Sequence, residues 1–412
     1  MTDAAPIGEL PPLGEVPRTM LAQVVRRERY GDPRTAFQIE EVETPSPGPG
    51  EVLIAVMGAG INYNNVWAAR GIPVDQIALR QKAGEPYDFH IGGSDASGIV
   101  YAIGQGVGGV EIGDEVVVHH GWWDPDDPWV RTGKDPMLAP SARIWGYDTN
   151  FGSFGQFCLA QAHQLLPKAP HLSWAEAAAG TLVGTTAYRM LHGWPGNTVA
   201  DGDVVLVWGG SGGLGTQAIQ LVKGAGGLPV AVVSSPERAE YTVKIGAVGA
   251  VDRRPFSHWG VPPHWDDQVG QREWLEGARG FGKAIWDVLG ERRNPNIVFE
   301  HPGEATLPTS VFVCEAGGMV VICAGTTGYT GVVDLRYHWV RQKRLQGSHG
   351  TNDEQARAFN ELVVAGVIDP CAEHVYRFED IPLAHHEMAE GIDTRGNRVA
   401  LVGASEPGLG RA

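Results

Sequence analysis

The chain has 412 residues, of which 43% are hydrophobic, and its formal net charge is −16 at pH 7. One hydrophobic core rarely supports this length, so we expect two domains. The negative charge opposes binding to nucleic acid and to anionic membrane surfaces, so an anionic substrate must be met by local basic clusters.

The first segment, Met1–Pro17, is acidic and proline-rich without an apolar core, which predicts a flexible arm rather than a signal or transit peptide. No apolar run approaches the ~20 residues of a membrane helix. The cysteines lie far apart and lack the spacing of a metal site or a small disulfide framework. We expect them to be reduced, mostly buried thiols of a cytoplasmic protein: Cys158, Cys314, Cys323 and Cys371.

Short strands separated by Gly and Pro clusters dominate the region before residue 173, which predicts a partly open β-barrel. The segment Trp122–Pro140, rich in Trp, Asp and Pro, is expected to be a loop insertion. The strand candidates are Leu21–Arg26, Phe37–Val42, Val52–Met57, Gly98–Ile103, Val116–His119 and Phe154–Ala160.

The rest of the chain alternates strands and helices, which is typical of an α/β domain. A helix is predicted from Ser173 to Leu191, with Ser173 and Glu176 as its capping box. We expect residues 1–172 and 348–412 to form the barrel-like domain and residues 173–347 the α/β domain. Further predicted elements are strands Val204–Trp208, Leu228–Ser235, Asn296–Glu300, Met319–Ala324 and Arg398–Val402, and helices from Glu237, Ala305–Cys314, Asn352–Ala365 and Ile381–Glu390.

A glycine-rich loop follows the first of these α/β strands and opens a helix that ends near Ala225. Glycines at 210, 212 and 215 let the backbone turn tightly and approach a pyrophosphate, whose charge meets the helix N-terminus. The strand–loop–helix–strand context favours a dinucleotide site over a plain connector. The predicted contacts are Gly210, Ser211, Gly212, Gly213, Leu214 and Gly215.

The second strand of the α/β domain indicates which dinucleotide binds. It ends at Ser234 and Ser235, without the acid that would bind the ribose 2′-hydroxyl of NAD. Small hydroxyls leave room for a 2′-phosphate, and Arg238 and Arg253 supply positive charge. The sequence therefore predicts NADPH, with a solvated Arg238 as the alternative.

This organisation resembles the medium-chain dehydrogenase/reductase superfamily, in which a GroES-like barrel domain flanks a Rossmann domain on both sides in sequence. Its zinc-dependent members carry Cys and His-Glu where this chain has Asn62 and Ser94-Asp95. Since those thiolate and imidazole ligands are missing, we predict no metal and an activity that survives a chelator.

Five segments resemble a narrower family, crotonyl-CoA carboxylase/reductase. The resemblance implies that hydride from NADPH goes to the β-carbon of an α,β-unsaturated acyl-CoA and that the enolate attacks CO2. It also implies a homotetramer built as a dimer of dimers. The matching segments are Asn62–Trp67, Gly93–Asp95, Ile144–Gly152, Phe299–Gly303 and Lys343–His349.

By the same resemblance, the CO2-binding residues are Asn64, Tyr147, Asp148 and His349. The family pattern has Phe in place of Tyr147 and Glu in place of Asp148. We expect Asn64 and His349 to donate hydrogen bonds to CO2, Tyr147 to exclude water, and Asp148 to orient His349 or a water. The shorter Asp withdraws the carboxylate by one methylene, so carboxylation is expected to be leaky or lost.

Other candidate contacts follow the later strands. His301 comes after a strand end, where it would contact cofactor or cap a helix. The pair Arg336-Tyr337 matches a family contact with CoA. The nearby Arg341, Lys343 and Arg344 are candidates for the CoA phosphates or for a solvated surface.

Three alternatives remain open at this point. An enoyl-CoA reductase without carboxylation uses the same hydride step, and only the four-residue pocket discriminates it. A non-catalytic NADPH-binding protein would show no turnover with any enoyl-CoA. A quinone reductase would reduce quinones without CoA.

Overall fold

The computed structural model describes residues 4–196 and 198–404. These fall into two compact units, the first from the described residues of Met1–Thr185 and Gly350–Ala412 and the second from those of Thr186–His349. The domain boundaries expected at 172/173 and 347/348 stay predictions.

The first unit is built mainly of strands, with short helices between them. Its elements up to the division of the chain are β1 Thr19–Arg26, α1 Pro33–Ala36, β2 Phe37–Glu43, β3 Glu51–Ile61, α2 Tyr63–Arg70, α3 Gln76–Lys82, β4 Phe89–Ile91, β5 Ala96–Ile103, β6 Glu115–Val118, β7 Gly121–Trp122, β8 Arg143–Ile144, β9 Phe157–Gln161, β10 Leu165–Pro167, α4 Trp174–Ala178 and α5 Thr181–His192, which crosses the division.

The second unit alternates strands and helices, and the chain then returns to the first unit. The second unit contains β11 Val204–Trp208, α6 Gly213–Gly224, β12 Leu228–Val233, α7 Pro236–Lys244, β13 Gly249–Asp252, α8 Gln268–Leu289, β14 Ile297–Glu300, α9 Leu307–Val313, β15 Met319–Ile322, α10 Leu335–Trp339 and β16 Arg344–Gly347. The returning elements are α11 Asp353–Val364, β17 Ala372–Arg377, α12 Ile381–Ala389 and β18 Asn397–Leu401.

In the first unit the larger sheet runs β10-β6-β5-β3-β18-β17, with β9 also paired to β3, and a smaller sheet runs β2-β1-β4. The C-terminal β18 pairs antiparallel with β3. The chain therefore contributes a late strand, β18, to the sheet of the first unit. The core between these sheets includes Val52, Ile54, Phe154 and Phe157.

In the second unit six described strands are parallel and run in the order β13-β12-β11-β14-β15-β16. Numbered within the unit this is 3-2-1-4-5-6, the Rossmann order. Such a sheet binds ligands at the carboxyl ends of its strands, where the order reverses. That point lies between β11 and β14, next to the glycine loop.

One prediction about a helix was wrong in detail, and one long helix was missed. The helix expected over Ser173–Leu191 is two helices, α4 and α5, because the chain breaks at Ala179-Gly180 and α5 restarts at Thr181. The Ser173–Glu176 capping box is confirmed. The 22-residue α8 was not predicted, because its several glycines lower helix propensity.

The predicted loop Trp122–Pro140 is mostly irregular, but its first residue belongs to β7, which pairs with β8. All four cysteines are free thiols, three of them buried, as expected. Within residues 4–196 and 198–404, we find no helix with both the length and the apolar character needed to cross a bilayer.

Candidate active site

The glycine loop joins the end of β11 to the start of α6. Gly209 has φ +58°, and a Cβ on Gly215 would lie 2.4 Å from the Gly209 carbonyl oxygen. Gly212 is the N-cap of α6 and brings no side-chain cap bond. The first-turn N–H groups of α6 are therefore left to a ligand, which fits a pyrophosphate.

The residues predicted to bind the 2′-phosphate of NADPH lie together at the end of β12. Arg238 donates from Nη1 to Ser234 Oγ at 2.8 Å, and its backbone N–H donates to Ser235 Oγ, the N-cap of α7, at 3.3 Å. Arg253 is exposed, and its backbone N–H donates to the Val233 carbonyl of β12 at 2.9 Å. The Arg238 guanidinium thus lies beside the strand end where NAD enzymes place an acid, and the backbone of Arg253 is bonded to the same strand end.

His301 packs against the glycine loop rather than against a helix end. Its Nε2–H donates to the Trp208 carbonyl at 3.0 Å, and a Cβ on Gly209 would lie 2.6 Å from that nitrogen. Burial lowers the pKa of His301 to about 4, so the ring is neutral near pH 7. His301 therefore fixes the end of β11, and its contact with cofactor stays a prediction.

Sequence reasoning missed the role of Glu300, the residue before His301. Its carboxyl group is fully buried and accepts from Thr306 Oγ1 at 2.7 Å, from the Gly303 N–H at 3.1 Å and from Ser310 Oγ. Ser310 Oγ in turn accepts from the Trp208 indole at 2.8 Å. Burial raises the pKa of Glu300 to about 7. The network ties the ends of β11 and β14 to α9.

Asn64 lies in the first turn of α2, and its carboxamide is held at both ends. Its Nδ2 donates to Ser94 Oγ at 2.8 Å, and its Oδ1 accepts from Asn65 Nδ2 at 3.0 Å. These two bonds orient the carboxamide, with Nδ2 toward Ser94 and Oδ1 toward Asn65. The side chain is half-buried, so part of it faces solvent or a ligand.

Asp148 is held by partners that the sequence did not predict. Its Oδ1 accepts from Gln76 Nε2 at 2.9 Å, and its Oδ2 accepts from the Ile144 N–H at 2.7 Å. Tyr147 is half-buried and packs against a cluster with Trp123 and Met137. The expected action of Asp148 on His349 stays a prediction.

His349 is exposed and follows β16, at the carboxyl-end edge of the Rossmann sheet. In the same unit, Arg336 donates from Nε and Nη2 to Asp334, and from Nη2 to Gln271 at 3.1 Å. The Arg336 guanidinium carbon lies 5.7 Å from the centroid of the Tyr337 ring. The two residues predicted to contact CoA thus lie side by side, and the Arg336 guanidinium is already bonded to Asp334 and Gln271.

The expectation that Lys343 could meet a CoA phosphate is wrong. Its side chain is buried, and its Nζ donates to the Val311 carbonyl at 2.6 Å and the Phe312 carbonyl at 3.1 Å. A Lys that binds the last carbonyls of α9 is part of the fold. Arg344 donates to the Gly196 carbonyl at 2.8 Å and remains exposed.

Among residues 4–196 and 198–404, one group of possible metal ligands brings its atoms within 4.8 Å of one another: His119, His163 and Asp353. His119 Nδ1 accepts the Gly121 N–H at 3.2 Å, so its Nε2 carries the proton that it donates to Asp353 at 3.0 Å. A metal on that Nε2 would force a proton onto Nδ1, against the Gly121 N–H. The group fits a hydrogen-bonded anchor for the start of α11 better than a metal centre.

Comparisons with known proteins agree with this architecture. A family model described as the alcohol dehydrogenase GroES-like domain matches residues 48–170, and one described as zinc-binding dehydrogenase matches residues 213–365. A crotonyl-CoA carboxylase/reductase from Cereibacter sphaeroides is 49% identical over 407 residues, covering 99% of this chain and 93% of the relative. The chain belongs to the crotonyl-CoA carboxylase/reductase family.

Solved structures of this family match along nearly the whole chain. A crotonyl-CoA carboxylase/reductase in complex with NADP has a TM-score of 0.94 and 52% identity, covering 98% of this chain and 100% of that one. A 2-octenoyl-CoA carboxylase reductase in complex with NADP and 2-octenoyl-CoA has a TM-score of 0.87 and 38% identity, covering 96% and 90%. The family resemblance drawn from five segments is confirmed.

Proposed function

We propose that this chain catalyses the NADPH-dependent reductive carboxylation of a short-chain α,β-unsaturated acyl-CoA of the crotonyl-CoA type. A hydride adds to the β-carbon, the electron pair moves to the α-carbon as an enolate, and this carbon forms a bond with CO2. The products are an alkylmalonyl-CoA and NADP+. Full-length similarity to a crotonyl-CoA carboxylase/reductase carries the proposal.

The residues at the carboxyl ends of β11 and β12 fit NADPH, which supplies the hydride when bound. The glycine loop and the first turn of α6 would hold the pyrophosphate. Ser234, Ser235 and Arg238 would hold the 2′-phosphate, and Arg253 adds charge. His301 keeps the loop in place through its bond to the Trp208 carbonyl.

The enolate has two competing fates, because a proton gives the saturated thioester and CO2 gives the carboxylate. CO2 is neutral, so only directed donors can hold it. An amide nitrogen carries two N–H groups, and the bond to Ser94 uses one of those on Asn64. We assign the second N–H of Asn64 and the imidazole of His349 to the CO2 oxygens.

Tyr147 and Asp148 have supporting roles in this proposal. Tyr147 covers the pocket with an aromatic ring and excludes water, which would otherwise protonate the enolate. Asp148 accepts hydrogen bonds from Gln76 and from the Ile144 N–H, and these bonds fix the loop that carries Tyr147 and Asp148. Arg336 and Tyr337 bind the CoA portion. The homotetramer, implied by the resemblance, and the cytoplasmic location, expected from the cysteines, remain predictions.

Mass-resolved product analysis tests the proposal. Purified enzyme is given crotonyl-CoA, NADPH and bicarbonate with carbonic anhydrase, and ethylmalonyl-CoA and butyryl-CoA are quantified. We expect both products, with the ethylmalonyl-CoA share rising with dissolved CO2. Butyryl-CoA alone at saturating CO2 would instead establish the second candidate, an enoyl-CoA reductase without carboxylation, which the Tyr147 and Asp148 departures favour.

A further inference from the structure

Two short segments of the first unit are joined by three side-chain hydrogen bonds. Asn64 donates to Ser94 Oγ at 2.8 Å, and Asn62 Nδ2 donates to Asp95 Oδ2 at 2.9 Å. Asn65 Oδ1 accepts the Gly93 N–H at 3.2 Å. The start of α2 is therefore held by side chains against the residues that lead into β5.

Asp95 is the acidic member of this connection and, like Ser94 and Asn65, has no solvent exposure. Its Oδ1 accepts the Leu182 N–H, in the first turn of α5, at 2.5 Å. A Cβ on Gly60 of β3 would lie 2.5 Å from the Asp95 Cβ, so only glycine leaves room for this carboxyl. Burial raises the pKa of Asp95 to about 7. Burying a carboxyl group costs folding free energy, which its hydrogen bonds to Asn62 and Leu182 offset.

Asn62 behaves unusually for its place in the fold. It is the N-cap of α2, where an Asn side chain normally accepts a backbone N–H of the first turn. Here it makes no cap bond, and its amide donates to Asp95 instead. In place of the cap interaction, the Asn62–Asp95 bond links the start of α2 to the segment that carries Ser94.

We propose that Asp95 is a positioning residue for carboxylation, which acts through Asn62 and Ser94 to aim the Asn64 carboxamide at CO2. The inference rests on the proposed function, because only an enolate that meets CO2 makes the aim of this amide matter. Ser94 is the backbone neighbour of Asp95, and Asn64 lies two residues after Asn62, so the positions of Asp95 and Asn62 constrain those of Ser94 and Asn64. Anchoring Asp95 therefore sets both partners of the Asn64–Ser94 bond.

The expected consequence is a change in product ratio rather than a general loss of activity. A misplacement of about 1 Å at a reacting centre can cost roughly 100-fold in rate. Hydride addition uses the glycine loop of the second unit and does not use the Asn64 amide. Displacing Asn64 should therefore slow CO2 capture while protonation of the enolate continues.

The experiment measures the ratio of ethylmalonyl-CoA to butyryl-CoA from crotonyl-CoA, NADPH and CO2, together with NADPH binding by fluorescence. Asp95→Ala and Asn62→Ala each break the bond between these residues, and we expect each to lower the ratio about tenfold with little change in NADPH Kd. Asp95→Asn keeps an oxygen for the Leu182 N–H and, after rotation of the Asn62 amide, the bond to Asn62. It should retain a ratio near that of the wild type.

Ser97→Ala is the matched control, because Ser97 is equally buried on β5 and its Oγ donates to the Trp174 carbonyl at 2.6 Å. We expect it to lower stability without moving the ratio. Unchanged ratios in both alanine variants, or an equal shift in Ser97→Ala, would overturn the inference. If Asp95→Ala fails to fold, Asn62→Ala decides, since it leaves the Asp95–Leu182 bond. A wild type that makes no ethylmalonyl-CoA would instead refute the proposed function.

Discussion

Two segments of the molecule are held in place by different kinds of atoms. They are the glycine loop of the second unit and the Asn62–Asn65 segment of the first unit. In the loop, backbone N–H groups and missing Cβ atoms form the proposed pyrophosphate site, with close approaches such as that of Gly215 to the Gly209 carbonyl. In the Asn62–Asn65 segment, amide side chains bond to residues about thirty positions away. The first kind of site is local in sequence, and the second is not.

This difference predicts how each site fails. A backbone site has no adjustable parts, so one added methyl group blocks it. A side-chain site can lose one bond and still hold substrate with an altered aim. Changes in the second unit should therefore affect binding, whereas changes around Asn64 should affect the choice of product.

The largest effect is expected from Gly215→Ala. The added Cβ would lie 2.4 Å from the Gly209 carbonyl oxygen and 2.7 Å from the Gly210 Cα, and neither backbone atom can move cheaply. We expect a cost of about 3 kcal/mol, or roughly 100-fold in NADPH Kd. Gly224→Ala, on the same helix with nothing within 4 Å of its Cβ, is the control. Normal NADPH binding by Gly215→Ala would contradict the backbone account.

Glu300→Gln tests the side-chain network that supports the loop. Because burial raises the pKa of Glu300 from 4.5 to about 7, the wild type loses stability as the pH rises between these values. The difference of about 2.5 units corresponds to on the order of 3 kcal/mol. We expect Glu300→Gln to lose less stability between pH 5 and pH 8, as measured by urea unfolding. Exposed Glu291→Gln should behave like the wild type, and an equal pH dependence in both variants would refute the assignment.

Arg238→Ala tests the cofactor preference. The wild type should prefer NADPH over NADH in kcat/KM by well over tenfold, and one charged contact is worth about 1.4 kcal/mol. Removing the guanidinium bonded to Ser234 should reduce that preference about tenfold. Arg254→Ala is the control, because Arg254 pairs with Asp252. Equal use of both cofactors by the wild type would defeat the prediction.

Asp148→Glu should give a smaller effect, seen only in the product ratio. Restoring the family's longer carboxylate extends its reach by one methylene, and we expect the ethylmalonyl-CoA share to rise by about two- to fivefold. Asp126→Glu, on the exposed part of the preceding loop, should change nothing. A lower share in Asp148→Glu would mean that the bonds to Gln76 and Ile144 already place the carboxylate correctly.

The same contrast explains what the sequence could predict. The glycine loop and the Ser234–Arg238 group lie within a few residues of one another, so motif and strand position were enough. The Gln76–Asp148 bond joins residues 72 positions apart, and no local pattern marks Gln76. Asp95 was noted as a departure from zinc ligands and as part of a matching segment, but no role followed from the sequence, because its burial depends on packing against β3 and α5.

Some missed features did leave a signal. In α8 the buried residues Trp274, Ala278, Phe281 and Ile285 follow helical spacing, but its glycines hid the pattern. Thr306, the N-cap of α9, and Ser310, four residues later within it, both direct hydroxyls toward Glu300. The proposed CO2 pocket left no such signal, and the prediction that Asn64 and His349 are more than loop residues rests on the family resemblance alone.

Whether His349 and Asn64 direct the enolate to CO2 is tested by the ethylmalonyl-CoA to butyryl-CoA ratio of His349→Asn against the wild type across a CO2 titration. The substitution removes an imidazole donor and opens volume for water, so protonation should gain over carboxylation. We expect a ratio that rises with CO2 in the wild type and is much lower in the variant than in the wild type at every CO2 concentration, with NADPH Kd nearly unchanged. A variant with the wild-type ratio would contradict the pocket, whatever its rate.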